Sequence, residues 1–124
     1  MNDRELMFTP AHKQRQMIVD GEISSVEMTE ASLRRIAELE PQLNAFITLD
    51  EQGALTAAKA ADESLASGSA PGPLHGVPIA VKDLEVTKGL RTTLGSTFFE
   101  DWIPDYDSVA VERLRASGAV ILGK

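Results

Sequence analysis

Cysteine is absent from all 124 residues. A disulfide framework and a cysteine-based zinc site are therefore excluded, and the composition fits a reducing compartment. Basic residues are in short supply, with 12 Lys and Arg against 19 Asp and Glu and a net charge of −7. Phosphate recognition needs a basic surface, so neither nucleic acid nor an anionic membrane is expected as a direct partner. Long apolar runs are missing too. The longest are a handful of residues, such as "AVIL", far below the roughly 20 that span a bilayer. The N-terminus, "MNDRELMFTP", has charges on both sides of its apolar residues and no apolar stretch of signal-peptide length. A cytoplasmic protein is the resulting expectation. No internal repeat is visible.

What is present suits one folded domain with a modest core. Thr9-Pro10 predicts a helix start, with the hydroxyl as N-cap and proline in the first turn, ending near Gly21. Ser24 followed by Glu27 is a capping-box pattern. Behind it Val26, Leu33, Ile36 and Ala37 share one helical face, and Pro41 is expected to stop the helix. "NAFITLD" reads as a short strand, after which Asp50 caps an alanine-rich helix with Ala54, Ala58, Ala61 and Leu65 on one side. So small a face packs closely against a sheet or another helix. The Gly/Pro/Ser-rich "SGSAPGPLHG" is a surface loop. It leads into "GVPIAVKD", a strand entering the interior with Pro78 at its first position, where a missing N–H costs least. From Leu84 to Tyr106 the pattern is irregular. Asp107 or Ser108 then caps a short helix with Ala110, Val111 and Leu114 inward, Gly118 ends it, and "AVIL" is a further strand. Strand, helix and strand in this order make a parallel or mixed sheet. A parallel sheet buries both faces, and a strand two residues from Lys124 leaves little chain to cover it. The sequence is therefore expected to be cut from a longer domain.

Several motifs fail on chemistry. "GAVILGK" matches most of G-x-x-x-x-G-K, but a phosphate loop needs loop formers where Ala, Val, Ile and Leu form a strand, and the metal-binding Ser or Thr is missing. Glu100, Asp101, Asp105 and Asp107 lack the alternation, the glycine and the later glutamate of a calcium loop. They read as a solvated acidic loop with one helix cap. The two histidines are His12, in a polar helical stretch, and His75, entering the "GVPIAVKD" strand. A Ser-His-Asp triad needs a positioned serine, and "LGSTF" lacks the second glycine of a nucleophile elbow.

Lys82 raises a different question, because an ammonium stands at the C-terminal end of a buried strand. It could lay its stem on apolar surface with its head in water. Pairing with Asp83 is a poor alternative, since successive strand residues face opposite ways. A third reading is a partly desolvated lysine whose neutral amine takes a proton, as in Ser-Lys catalysis.

At "GPLHGVPIAVKDLEVTKGLRTTLGS", followed by "PDYDSVAVERLRASGAVILGK", the chain resembles the N-terminal part of the amidase signature hydrolases. "GEISSVEMTEASLRRIAELEPQLNAFITL" is similar to the opening helical region of that family. The G-V-P-x-x-V-K-D core with a following G-L-x-T-T-x-G-S carries the resemblance.

The resemblance implies an α/β fold, a mixed central sheet covered by helices on both faces. Residues 1–124 would be the N-terminal fragment of a single domain, with a helical start over about 9–40 and the first sheet elements over about 44–124. It implies hydrolysis of a small-molecule carboxylic amide, with no metal and no organic cofactor. Lys82 occupies the position of the catalytic base, which in the family acts through a serine held by a cis peptide bond and relays the proton of a nucleophilic serine. An acyl-enzyme follows, and backbone N–H groups near the nucleophile stabilise the oxyanion. Some relatives are instead the amidase component of a tRNA-dependent amidotransferase. Both serines belong to a Gly/Ser-rich stretch that does not occur in these residues; "SLASGSAPG" has the wrong position and context. Leu84 also departs from the asparagine that many members carry there. The chain alone is expected to be inactive, its site needing the remainder of the domain or a partner chain. A short non-catalytic protein that docks on such a partner is the remaining alternative.

Overall fold

A computed structural model describes residues 1–124. Its elements are α1 (Asp3–Phe8), α2 (Ala11–Val19), α3 (Ser25–Leu43), α4 (Glu51–Ala66), β1 (Pro78–Ala80), α5 (Val109–Ala116) and β2 (Val120–Gly123), with one 3-10 turn at Thr97–Phe99. β1 and β2 pair in parallel, Pro78 beside Val120 and Ile79 beside Ile121, with an irregularity that sets Ala80 beside Gly123. "NAFITLD" is not a full strand. Its second half runs antiparallel along the other edge of β2 through a single Leu49–Gly123 bridge, supported by Asp50 N–H to Leu122 O at 2.8 Å and Lys124 N–H to Thr48 O at 2.7 Å. The sheet is therefore small and mixed, and helices pack on both of its faces.

β2 is covered on both faces by residues of this chain. Val120 and Leu122 pack with Ala54 and Ala58 of α4, and with Val26, Leu33 and Ile36 of α3. Ile121 points the other way, onto Val81 and onto Val111 of α5. All four residues of β2 are buried, which corrects the expectation of an uncovered strand. The covering helix on one side comes earlier in the chain, and adjacency in sequence does not show that. A third cluster joins Leu6, Ile18, Met28, Ala31 and Val77, seating α1 and α2 against α3 and the residue before β1.

The capping box forms as read: Ser24 Oγ accepts from Glu27 N–H at 3.0 Å while Glu27 Oε2 accepts from Ser24 N–H at 2.8 Å. The Ser24 N–H and the Ser24 hydroxyl, which also donates to Glu27 Oε2 at 2.9 Å, hold the Glu27 carboxyl below its ordinary value. This support is present above that ordinary value and lost as pH falls through the lowered one. Ser24→Ala is expected to cost about 1 kcal/mol, measured as a lowered urea midpoint with an unchanged slope.

Pro41 does not stop α3. Its ring is compatible with helical φ, and the helix continues despite the lost N–H and the crowding of the carbonyl one turn back. The helix runs on to Leu43, where Asn44 at φ +48° ends it and donates to Glu40 O at 2.8 Å. Thr9 is not the α2 cap either; its hydroxyl donates back to Glu5 O at 2.8 Å, and Pro10 holds the N-cap position. α1 itself was not foreseen. Ala37 and Ala110, expected to face inward, are not buried. On α3 the fully buried positions include Met28, which fills the core, and Ser25, Thr29 and Ala31, whose small side chains let its neighbours approach. Ser108 is the α5 cap, accepting from Val111 N–H at 3.3 Å, and Gly118 follows the helix at φ +90°.

Candidate active site

Parallel strands put their C-terminal ends on one side, the usual ligand side of an α/β sheet. Here both ends carry a lysine. β1 delivers Lys82 and β2 delivers Lys124, with Val81 N–H donating to Gly123 O at 3.0 Å between them. A cleft of about 540 Å³ opens at this end, lined by Phe46 and Ile47, by Ala80 to Leu84, and by Gly95 and Lys124.

The two lysines are held differently. β1 ends at Ala80, itself exposed, and the chain turns so that Glu85 N–H meets Lys82 O at 2.9 Å. Lys82 is consequently exposed. The desolvated setting that a base reading suggested is not provided by residues 1–124, and the lysine head stands in water. Lys124 has a side-chain exposure of 0 %. Its Nζ donates to Glu85 O at 2.6 Å and to Thr92 Oγ1 at 3.0 Å, and lies 3.8 Å from Asp83 Oδ1. Burial pushes the Lys124 ammonium below its ordinary 10.5, while Asp83 and Glu85 pull it back up.

That shift has a sign that can be tested. With the folded value below the unfolded one, the unfolded chain holds more protons between the two, so this residue's contribution to stability rises with pH. The rise ends near 10.5, the ordinary value. Lys124→Met is expected to flatten stability against pH over the alkaline range. A difference between the two proteins that stays constant with pH would refute the assignment.

Asp83 does not turn to Lys82. Its carboxylate accepts from Thr93 N–H at 3.1 and 3.2 Å and from the Thr93 hydroxyl, and its carbonyl accepts from Leu94 N–H at 3.2 Å. The K-D and T-T segments of the motif are thereby tied together. Leu94 sits at φ +53° in this loop, a backbone region costly for leucine and held by its surroundings.

The other candidates lie elsewhere. His75 is buried at the opposite end of β1, its Nε2 donating to Ala61 O at 2.9 Å, and His12 is exposed. Asp107 accepts from Lys88 N–H at 2.7 Å and pairs with Arg115 at 2.9 Å. Lys124 stood out in the sequence only as the end of a failed phosphate loop. Two apolar runs each closed by a lysine were the available signal, and only their parallel pairing brings the lysines together.

The family model described as Amidase matches residues 27–124. This chain belongs to the amidase signature family. A relative from Acidothermus cellulolyticus is named as a subunit of glutamyl-tRNA(Gln) amidotransferase; it is 51% identical over 108 residues, 87% of this chain and 21% of its own length. Among solved structures, the native peptide amidase from Stenotrophomonas maltophilia has TM-score 0.88 and 38% identity, matching 94% of this chain and 24% of that one. Fatty acid amide hydrolase has TM-score 0.90 and 28% identity, matching 98% of this chain and 21% of that one. The amidase signature fold is thus shown, and the chain spans about a fifth of the length of the curated relative. No helix is long and apolar enough to cross a membrane.

Proposed function

We propose that residues 1–124 are the N-terminal part of a single amidase signature domain and supply the lysine base of a serine amidase. The observation that carries this reading is Lys82 at the C-terminal end of β1, opening on the cleft, inside the segment that the family model matches. The neutral Lys82 amine takes a proton from a relay serine, which takes it from the nucleophilic serine. The nucleophile adds to the amide carbonyl, the C–N bond breaks, and the leaving amine receives that proton. Water then hydrolyses the acyl-enzyme to a carboxylate. Both serines lie outside residues 1–124 in this reading, and that part of the domain also desolvates Lys82.

A second reading is favoured by the 51% identity to a component of a glutamyl-tRNA(Gln) amidotransferase. In it, partner subunits and a charged tRNA direct the released ammonia to transfer instead of loss. The chemistry at Lys82 is the same in both.

The test is to express the complete reading frame that contains this chain and to measure ammonia release from simple carboxylic amides. Hydrolysis without partners supports the first reading; ammonia transfer that occurs only with partner subunits and tRNA supports the second. Residues 1–124 alone are expected to show no turnover. Turnover by that preparation, free of host enzyme and lost on changing Lys82, would contradict the proposed division of the site.

A further inference from the structure

The base reading uses Lys82 and leaves Lys124 without a role, although Lys124 is the more completely enclosed of the two. An ammonium taken out of water needs acceptors and a counter-charge. Lys124 has both: the Glu85 carbonyl, the Thr92 hydroxyl and the Asp83 carboxylate. Both Asp83 oxygens accept from Thr93 N–H, and Oδ1 also lies 3.8 Å from the Lys124 ammonium, its one cationic neighbour.

This arrangement bears on Lys82 because Asp83 is its neighbour in the chain. The titratable groups of the cleft are Lys82, Asp83 and Lys124, with Glu85 at the next turn. The opposite wall, Ala45 to Ile47, contributes none. A carboxylate free to face Lys82 would favour its charged, non-basic form. We propose that Lys124 is a positioning residue for Lys82: together with Thr93 it holds the Asp83 carboxylate toward the buried end of β2 and leaves the Lys82 amine without an anionic partner.

The proposal rests on Lys82 being the base, but its test needs no turnover. Lys124→Gln keeps an amide donor for Glu85 O and Thr92 Oγ1 and removes the charge. An amine-directed acetylating reagent is then applied to the unaltered protein and to this variant at one pH near neutrality. Mass spectrometry reads the labelling rate of Lys82 against exposed Lys13 and Lys59. Lys82 is expected to react about threefold or more slowly in Lys124→Gln, with the two reference lysines unchanged. Lys124→Arg restores the rate, and so does Asp83→Asn/Lys124→Gln, which removes both charges. An unchanged Lys82 rate in folded Lys124→Gln overturns the proposal. Equal slowing in the double variant also overturns it, because loss of loop position and not an unmasked carboxylate would then be the cause. If Lys124→Gln does not fold, the double variant carries the test: the unaltered rate supports the proposal and a slower one refutes it. A complete protein with no amidase activity would remove Lys82 as base without altering these rates, so the two failures are separable.

Discussion

Lys82→Ala is expected to lower kcat/KM for amide hydrolysis by the complete protein at least about 10²-fold, the lower end of what a positioned general base contributes. The loss should fall on kcat, with KM little changed, because a base acts in the transition state and adds little to ground-state binding. Lys82→Arg should be as inactive, since a guanidinium keeps the charge but does not give up its proton near neutral pH. Within residues 1–124 Lys82 is exposed and contributes nothing to the core, so in that chain both variants should melt with the unaltered one. Activity within a few-fold of the unaltered enzyme in either variant would remove Lys82 from the mechanism. A fall in kcat accompanied by a lower melting temperature would point to misfolding instead.

The second large effect is structural. Gly123 lies where β2 is flanked by β1 on one edge and by the 47–50 segment on the other. A Cβ built on Gly123 would stand 2.2 Å from Thr48 O and 3.0 Å from Leu49 Cα. Both obstacles are backbone, so no side chain can rotate away. Gly123→Ala must therefore open the contact with Thr48, and the bond from Lys124 N–H to Thr48 O at 2.7 Å goes with it. The expected cost is about 3 kcal/mol or more, at the upper end of overpacking effects and a large part of a typical domain stability. Urea unfolding measures it, with Ser69→Ala on the exposed loop as a control expected within about 0.5 kcal/mol. A Gly123→Ala midpoint as high as the control's would mean that the 47–50 segment is not held against β2. Because Lys124 follows Gly123, the same variant should also loosen the Asp83–Thr93 loop, visible as faster amide exchange at Thr93 and Leu94.

Local chemistry was legible wherever a short stretch decides its own conformation. The Ser24–Glu27 capping box, the Asp50 cap accepting from Gly53 N–H at 3.1 Å, the proline-led β1 and the apolar β2 all follow from neighbouring residues. The family resemblance was equally direct, since the K-D and T-T segments lie within one short stretch of sequence. Boundaries were less so. Pro41 and Thr9 were read by their commonest roles, and in each case neighbouring residues took the cap instead.

The sequence by itself determined the covalent inventory: no thiol, an excess of acidic residues, a lysine closing each of two apolar strands, and the signature segment around Lys82. Tertiary structure alone decided how those groups meet. Parallel pairing of β1 with β2 places Lys82 and Lys124 at the same end of the sheet, though they lie far apart in the chain. It also decided that Lys124 is enclosed while Lys82 is open, because the chain turns away after β1 and β2 is flanked on both edges. The physical reason is that burial and counter-charge are properties of packed neighbours. Asp83, Glu85 and Thr92 reach Lys124 only once the 83–93 loop folds over the end of β2.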